Sequence, residues 1–356
     1  TYREEMKIRA IGLLSGGLDS TLAVRLMHDL EIYVQAVNFH TGFCFTNTRR
    51  ETKGDNNPNP AGGPSDALSS AAKLGIKIDI TDISEGYLDI VHNPKYGYGK
   101  NVNPCIDCRI NMFKIAAEKM KEYDAKFVFT GEVLAQRPMS QHFDQLGLIA
   151  KRSGLEDVLL RPLSAKLLPE TLPEREGWVD RSKLFGFHGR SRKDQMALAE
   201  KYGIIEYPSP AGGCCTLTDP SYGKKVKDLW NHTDKNKLQW DDYLLMKTGR
   251  HLRVNPDLKI IVGRDEGENH FLGQFKGQRI SVEPNEVPGP TALIDLAPGE
   301  VNDEMISVAA SIVARYSNRN SDGDVISVIV KASGQTDRNL LAKPYTVEEV
   351  RNWLIT

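Results

Sequence analysis

The sequence predicts an α/β protein, a parallel sheet with helices on both faces, followed by a small C-terminal α+β domain. Three observations predict it. A strand, a glycine turn, a helix and a second strand follow one another over 8–40, strands and helices alternate up to about residue 203, and the pattern changes near 240. The predicted domains are 1–235 and 236–356.

The first strand is the apolar run IRAIGLL at 8–14, which leads into SGGLDS. Apolar residues then recur at helical spacing over 22–30, so a helix follows the turn. The next strand is IYVQAVNFH at 32–40. Residues 46–66 are rich in Asn, Gly and Pro, and they predict a mobile loop or lid, with plain disorder as the alternative.

The remaining elements follow from the same periodicities. In the first domain we predict helices at 66–74, 107–122 and 191–203 and strands at 76–83 and 125–132. In the second, LKIIVGRDEGENHFLGQF at 258–275 predicts a strand, a charged turn and a strand; a further strand is predicted at 326–332 and helices at 305–317 and 347–354.

Composition excludes several classes of protein. The chain has 356 residues, of which 40% are hydrophobic, and its net charge of −1 argues against a uniformly basic nucleic-acid-binding surface without excluding local basic patches. No stretch approaches the roughly 20 apolar residues of a membrane span, and the start has no secretory pattern. Five cysteines do not make a secreted disulfide framework. We therefore predict a cytoplasmic protein with no membrane partner.

The turn SGGLDS has the chemistry of an anion site. Gly16 and Gly17 allow backbone N–H groups to approach a ligand at the positive end of a helix, and Ser15 and Ser20 add hydroxyl donors. Asp19 would repel a phosphate unless it holds Mg²⁺ or orients the loop. By itself the turn is equally consistent with an ordinary strand–helix connection.

The cysteines form a second group of candidates. Cys105 and Cys108 stand in CxxC spacing at the start of a helix, which suits a zinc site, a redox disulfide or part of an iron–sulfur cluster. Adjacent Cys214 and Cys215 are poorly placed to pair with each other. Three thiolates, with one from this second pair, would leave one iron of a [4Fe–4S] cluster open. Cys44 is predicted to be a buried small residue, with a sulfur-relay role as the alternative.

These motifs together resemble a known superfamily. LSGGLDS resembles the SGGxDS loop of the PP-loop ATP pyrophosphatases, and a CxxC pair with a later AGGC is similar to tRNA thiouridine synthetases of that superfamily, over about 8–230. The resemblance implies that the loop residues bind the pyrophosphate part of ATP and its Mg²⁺. It implies that Asn38, His40 and Gly131 lie around the nucleotide, with Arg137 or Gln141 within reach of its phosphates.

The resemblance also implies an activity, ATP-dependent tRNA thiolation by a tRNA sulfurtransferase. ATP would adenylate a uridine carbonyl oxygen, and sulfur from a [4Fe–4S] cluster held by Cys105, Cys108 and Cys214 would displace AMP; Cys215 is the alternative third ligand. Three other activities stay open. These are the same thiolation through a persulfide on Cys108 or Cys214, an amidating PP-loop ligase, and a non-catalytic RNA-binding protein with a relic nucleotide site.

Two segments are candidates for RNA contact. LFGFHGRSRK at 184–193 interleaves aromatics with Arg190, Arg192 and Lys193, which suits an RNA face or a solvated helix start. VGRDEGENHFL at 262–272 resembles a turn in the RNA-binding domain of the NFACT family, with dimerisation as the alternative. The residues that match this turn are Gly263, Arg264 and Asn269. The expected partners are tRNA and a sulfur donor, either sulfide or a sulfur carrier, with a homodimer possible.

Overall fold

The computed structural model describes residues 8–44, 64–207, 215–296, 300–318 and 323–356. Most of the predicted loop at 46–66 and Cys214 lie outside these ranges. Within them, no helix has the length and apolar character that crossing a bilayer requires. The described residues form two compact units, which divide between Thr216 and Leu217.

The first unit contains a five-stranded parallel sheet with strand order β3–β2–β1–β4–β5, as predicted. Its strands are β1 (Arg9–Leu13), β2 (Tyr33–His40), β3 (Lys77–Asp82), β4 (Phe127–Thr130) and β5 (Leu159–Leu160). The helices are α1 (Leu18–Asp29), α2 (Pro64–Leu74), α3 (Tyr87–His92), α4 (Cys105–Glu122), α5 (Phe143–Arg152), α6 (Leu172–Arg175) and α7 (Lys193–Lys201).

Helices cover both faces of this sheet because successive strand residues point to opposite sides. In β1, Ala10 packs into the hydrophobic cluster that contains side chains of α1, α2 and α7. Its neighbour Ile11 packs into a second cluster with side chains of α4 and α5. Helix α4 lies between the parallel strands β3 and β4 in the chain, so it begins at the carboxyl edge of the sheet. The loop after β1 lies at the same edge.

The second unit contains a six-stranded antiparallel sheet with strand order β11–β10–β8–β9–β7–β6. Its core joins the sheet to α11 and α12. The strands are β6 (Arg250–Asn255), β7 (Leu258–Val262), β8 (Ile280–Pro284), β9 (Ala292–Ile294), β10 (Ile326–Lys331) and β11 (Arg338–Ala342). The helices are α8 (Pro220–His232), α9 (Trp240–Leu245), α10 (Glu266–Gly273), α11 (Asp303–Tyr316) and α12 (Val347–Trp353).

One predicted element is wrong. The second strand predicted within 258–275 is replaced by helix α10. The side chain of Asp265 accepts a hydrogen bond from the backbone N–H of Glu268 and so caps the helix. Arg264, the residue before the cap, pairs with Glu268 in the first turn, because its backbone N–H and its guanidinium both donate to the Glu268 carboxylate. The cap and the ion pair together favour a helix where the apolar residues alone suggested a strand.

Helix α8 belongs to the second unit, where it is bound to the second sheet. Asp228 of α8 receives two hydrogen bonds from Arg253 of β6, at 3.1 and 2.9 Å. It also lies 3.3 Å from the ammonium of Lys259 in β7. Lys259 is only 1% exposed, so this carboxylate compensates a buried charge.

A second lysine, Lys225 of α8, is also buried, but no carboxylate of the described residues lies at hydrogen-bond distance from it. The ammonium of Lys225 donates to the carbonyl oxygens of Met246 and Gly249, at 3.3 and 3.2 Å. Burial, with smaller contributions from the positive charges of Arg264 and Lys259, lowers the pKa of Lys225 to about 8. Folding therefore weakens proton binding at this side chain.

We expect the second unit to gain stability as pH rises from about 8 to 10.5, the folded and ordinary pKa values of Lys225. In that window Lys225 is protonated in the unfolded chain and neutral in the folded chain. Below it Lys225 is protonated in both, so folding bears the full cost of burying the charge. The gain is about 3 kcal/mol. Urea unfolding followed by tryptophan fluorescence measures it, since Trp230, Trp240 and Trp353 belong to this unit.

The comparison variants are Lys225→Met and Lys224→Met, because Lys224 is the exposed neighbour on the same helix. Lys225→Met should remove this part of the pH dependence, and Lys224→Met should keep it. Equal slopes in wild type and Lys225→Met would contradict the assignment.

Candidate nucleotide site and cysteine pairs

The loop after β1 is held by a compact set of hydrogen bonds. The buried hydroxyl of Ser20 donates to the carbonyl of Gly17 at 2.9 Å and accepts from the backbone N–H of Ser15 at 3.2 Å. Its proton is thus used, so the 3.1 Å contact between the two serine hydroxyls is a bond that Ser15 donates. Ser15 is exposed, and its oxygen can still accept or bind a ligand.

Two glycines allow other segments to enclose this loop. Gly16 has φ +79°, and a Cβ there would lie 2.6 Å from the backbone of Asp66 and Ala67 in α2. Gly131, directly after β4, lies against the loop from the other side. A Cβ on it would stand 2.5 Å from backbone atoms of Asp19 and Ser20. Gly131 therefore allows β4 to approach the first turn of α1. The sequence predicted only that Gly131 lies near the nucleotide.

Asp19 is the best-defined polar group of the site. One of its carboxylate oxygens, Oδ2, accepts from the Arg192 guanidinium at 3.0 Å and from the Gln136 side-chain amide at 3.1 Å. The other, Oδ1, is buried and has no hydrogen-bond partner among the described residues. A buried carboxylate oxygen without a donor is costly unless a cation or a ligand completes it.

This arrangement fits Mg²⁺. The ion binds carboxylate oxygens and usually takes only one or two of them, with substrate phosphates and water completing the octahedron. Asp19 Oδ1 would be such a ligand. The Gly-rich turn and the start of α1 would present backbone N–H groups to the phosphates of ATP.

Asn38 and His40, the two residues predicted near the nucleotide from the end of β2, differ from each other in their contacts. The side-chain amide of Asn38 donates to the carbonyl of Leu14 at 2.8 Å, so it supports the backbone at the entrance to the loop. His40 lies 3.5 Å from the carboxylate of Asp82 on β3. Hydrogen bonds from Ser84 are the main cause of the lowered pKa of Asp82, and His40 adds a smaller effect in that direction.

The segment proposed as an RNA face divides in two. The rings of Phe185 and Phe187 stack with their centroids 4.8 Å apart, and both pack against the core of the first unit. Arg192 turns to Asp19, as described above, while Arg190 and Lys193 are exposed. The backbone N–H of Gly189 donates to the carbonyl of Leu134, which holds this segment beside the chain that follows β4. Only the exposed basic residues therefore remain as candidates for RNA contact.

The CxxC pair starts α4, as its spacing suggested. Cys105 is the first residue of the helix, and the backbone N–H of Cys108 donates to the carbonyl of Pro104. Asp107 between them accepts from the backbone N–H groups of Lys95 and Tyr96, both at 3.0 Å, which fixes the approach to the helix. Both cysteines are half-buried.

The predicted cluster needs a third thiolate, and its predicted source, Cys214, lies outside the described residues. In the ranges that are described, His, Cys, Asp and Glu side chains form no group of three or more arranged to hold a metal ion. The [4Fe–4S] cluster and its ligands therefore stay a prediction.

The other two described cysteines meet each other. Cys44 and Cys215 form an isolated antiparallel bridge, so residues far apart in the chain lie directly opposite one another. Cys44 follows the end of β2 by four residues and thus belongs to the same carboxyl edge as the loop. From the sequence, Cys44 was predicted to be a small buried residue and Cys215 an alternative cluster ligand, with no link between the two.

Sequence reasoning missed the partners of Asp19. It predicted Arg137 or Gln141 near the phosphates of the nucleotide, and it did not single out Gln136, whose side-chain amide donates to Asp19. The left-handed backbone of Ala135 (φ 60°) precedes Gln136, and its backbone N–H donates to the carbonyl of Gln141 at 2.7 Å. No local pattern in the sequence distinguishes these three polar side chains.

In the second unit, the residues of the predicted turn have structural contacts. The Asn269 side-chain oxygen accepts from the backbone N–H of Thr291 at 3.0 Å, which ties α10 to the start of β9. Arg264 is half-exposed and paired with Glu268, so part of its charge is already compensated.

Each of the two units contains a segment that matches the model of a known protein family. Residues 8–148 match the model of the tRNA methyl transferase HUP domain. Residues 249–354 match the model of the NFACT protein RNA binding domain. The matches confirm the predicted resemblance, a PP-loop type domain in the first part of the chain and an NFACT-type domain in the last. No curated protein matches the chain.

Several solved structures are remotely similar. The C-terminal part of the fibronectin/fibrinogen-binding protein of Streptococcus suis is 16% identical over 46% of this chain and 77% of that one, with a TM-score of 0.26. A predicted tRNA methyltransferase subunit of Methanocaldococcus jannaschii is 15% identical over 44% and 69%, with a TM-score of 0.30.

A 4-thiouridine synthetase in complex with RNA and ATP is 17% identical over 67% of this chain, with a TM-score of 0.32. The match covers 52% of that synthetase, about half its length. Likenesses this remote carry no conclusion about the activity of this chain.

Proposed function

We propose that this protein modifies tRNA in an ATP-dependent reaction that adenylates a uridine carbonyl oxygen and replaces that oxygen with sulfur. The observation that carries the nucleotide part is the buried Oδ1 of Asp19, which has no hydrogen-bond partner among the described residues and lies in a tightly enclosed SGGLDS loop. The RNA part is supported by the two domain matches, since one family is named for tRNA methyl transferases and the other for RNA binding.

In this proposal the loop binds the β- and γ-phosphates of ATP. Backbone N–H groups at the start of α1 stabilise the charge that develops on the leaving pyrophosphate. Asp19 would hold Mg²⁺ through Oδ1, while Arg192 and Gln136 orient its carboxylate through Oδ2. The target base has to be exposed or flipped out of its stack to reach the α-phosphate.

Two sulfur chemistries remain for the second half of the reaction. A [4Fe–4S] cluster held by Cys105, Cys108 and Cys214, or by Cys215 in its place, would supply an iron with an open position for a sulfur ligand. A persulfide on Cys108 or Cys214 would deliver sulfur without a cluster. A cytoplasmic location, a sulfide or carrier donor and a homodimer belong to the same proposal.

The test combines purified protein, ATP, Mg²⁺ and tRNA without oxygen, with sulfide in one reaction and polysulfide in a parallel one, and measures pyrophosphate release and thiouridine in digested tRNA. tRNA-dependent pyrophosphate together with thiouridine supports the proposal. Pyrophosphate without thiouridine indicates another PP-loop reaction such as amidation, and no pyrophosphate indicates a non-catalytic RNA-binding protein. Iron and acid-labile sulfide at about four each per chain, lost in Cys105→Ala, distinguish the cluster from a persulfide.

We expect Arg192→Gln to lower the rate of pyrophosphate release about tenfold or more, because Asp19 loses the charged partner that fixes its orientation. Arg190→Gln is the matched control, since Arg190 is exposed on the same segment. Its pyrophosphate release at saturating tRNA should be unchanged, and any effect should appear in tRNA affinity. Equal losses of rate in both variants would argue against a role for Arg192 at the loop.

A further inference from the structure

We propose that Cys44 and Cys215 form a reversible disulfide, and that this disulfide takes up sulfur from hydrosulfide as a persulfide. The disulfide follows from the fold alone. Its use as a sulfur source rests on the proposed thiolation.

The backbone geometry defines the pairing. The backbone N–H of Thr216 donates to the carbonyl of Phe43 at 2.8 Å, one residue outside the bridged cysteines on each strand. A hydrogen bond in that position marks the cysteines as a non-hydrogen-bonded antiparallel pair. Such pairs have Cα atoms about 4.5 Å apart and side chains on the same face. Disulfides span Cα distances of about 4.4–6.8 Å, so the pairing satisfies the backbone requirement.

The surroundings hold both strands in this register. The hydroxyl of Thr216 donates a second bond to the Phe43 carbonyl at 3.0 Å. Phe43 is fully buried, and its ring lies 5.9 Å from that of Tyr87. The hydroxyl oxygen of Thr41 accepts from the backbone N–H of Phe43 at 3.2 Å. Closing the disulfide therefore costs little additional conformational entropy, because both strands are already ordered.

The two sulfurs differ in access. Cys215 is buried, with 8% of its surface exposed, whereas Cys44 is half-buried. The Cys44 sulfur also lies 3.7 Å from the Thr41 hydroxyl. Since exchange at a disulfide depends on which sulfur an attacking group can reach, Cys44 is the sulfur open to attack and Cys215 is the leaving thiolate.

The chemistry balances with one named oxidant. Oxidised glutathione accepts two electrons from the two thiols, which gives the Cys44–Cys215 disulfide and two molecules of glutathione. Hydrosulfide then attacks the Cys44 sulfur. A new S–S bond forms, the disulfide breaks, and Cys215 leaves as a thiolate that takes up a proton. Cys44 retains the added sulfur as a persulfide, oxidised at the expense of the disulfide.

The first test maps the disulfide in the full chain. Protein equilibrated without oxygen in mixtures of reduced and oxidised glutathione is alkylated, digested and fragmented by mass spectrometry. We expect a cross-link between Cys44 and Cys215, kept in Cys105→Ser and Cys108→Ser. Because Cys214 shares a peptide with Cys215, Cys214→Ser must also keep the cross-link and Cys215→Ser must lose it. The mapping in wild-type protein needs no substitution, so a misfolded variant cannot decide the outcome.

A cross-link from Cys44 to Cys214, one confined to Cys105 and Cys108, or none in any glutathione mixture would overturn the disulfide. The second test adds sulfide to the oxidised protein and measures cyanide-reactive sulfur, expected at about one per chain and absent in Cys44→Ser. A disulfide that yields no such sulfur overturns the uptake step. Both measurements omit ATP and tRNA, so a failure of tRNA thiolation is distinguishable from a failure here.

Discussion

Replacing Asp19 by Asn should reduce ATP-dependent pyrophosphate release by at least about a hundredfold, the size expected when one preorganised electrostatic contact is removed. Arg192 and Gln136 both donate to the same carboxylate oxygen. An asparagine must turn its only oxygen to them, which directs its NH₂ group to the position of Oδ1. An NH₂ group carries no lone pair for Mg²⁺. Initial rates at saturating ATP and Mg²⁺ measure the loss.

The matched control is Asp29→Asn at the other end of the same helix. Asp29 pairs with Arg25 on the surface, and both side chains are more than a third exposed. The substitution removes the same charge from α1 but touches neither the loop nor its partners, so the rate should stay near that of wild type. A wild-type rate in Asp19→Asn would mean that the buried oxygen has no part in the reaction.

Gly131→Ala should have the second large effect, on stability as well as on nucleotide binding. The new Cβ would lie 2.5 Å from backbone atoms of Asp19 and Ser20, and a backbone neighbour cannot give way as a side-chain end can. Either β4 or the first turn of α1 must shift. Overpacking of this kind costs about 3 kcal/mol, and the displaced loop should bind ATP at least about tenfold more weakly. Urea unfolding and titration with ATP measure the two losses.

Gly147→Ala provides the comparison for this substitution. Gly147 lies inside α5, and a Cβ there meets no atom within 4 Å. Alanine is the better helix former by about 0.5–1 kcal/mol, so this variant should be slightly more stable than wild type and bind ATP equally well. If the two alanine variants behaved alike, the close approach at Gly131 would not matter.

Local sequence patterns predicted most of the elements because strands and helices depend largely on neighbouring residues. The apolar run ending at SGGLDS, the helix after it and the CxxC pair at a helix start all lie where they were predicted. The failure at 258–275 has the same origin. An apolar Phe-Leu pair suits a strand or a helix, and the cap by Asp265 with the Arg264–Glu268 pair decides for the helix.

The α/β order, the phosphate-type loop with its two glycines and the set of candidate thiols could all be inferred from the sequence. The side chains that meet in the site could be identified only from the fold. Gln136 and Arg192 reach Asp19 across 117 and 173 residues of chain. Cys215 lies opposite Cys44 through an equally distant pairing. Such contacts depend on sheet order, strand register and the close approach at Gly131, and these are set by packing among segments that no local pattern connects.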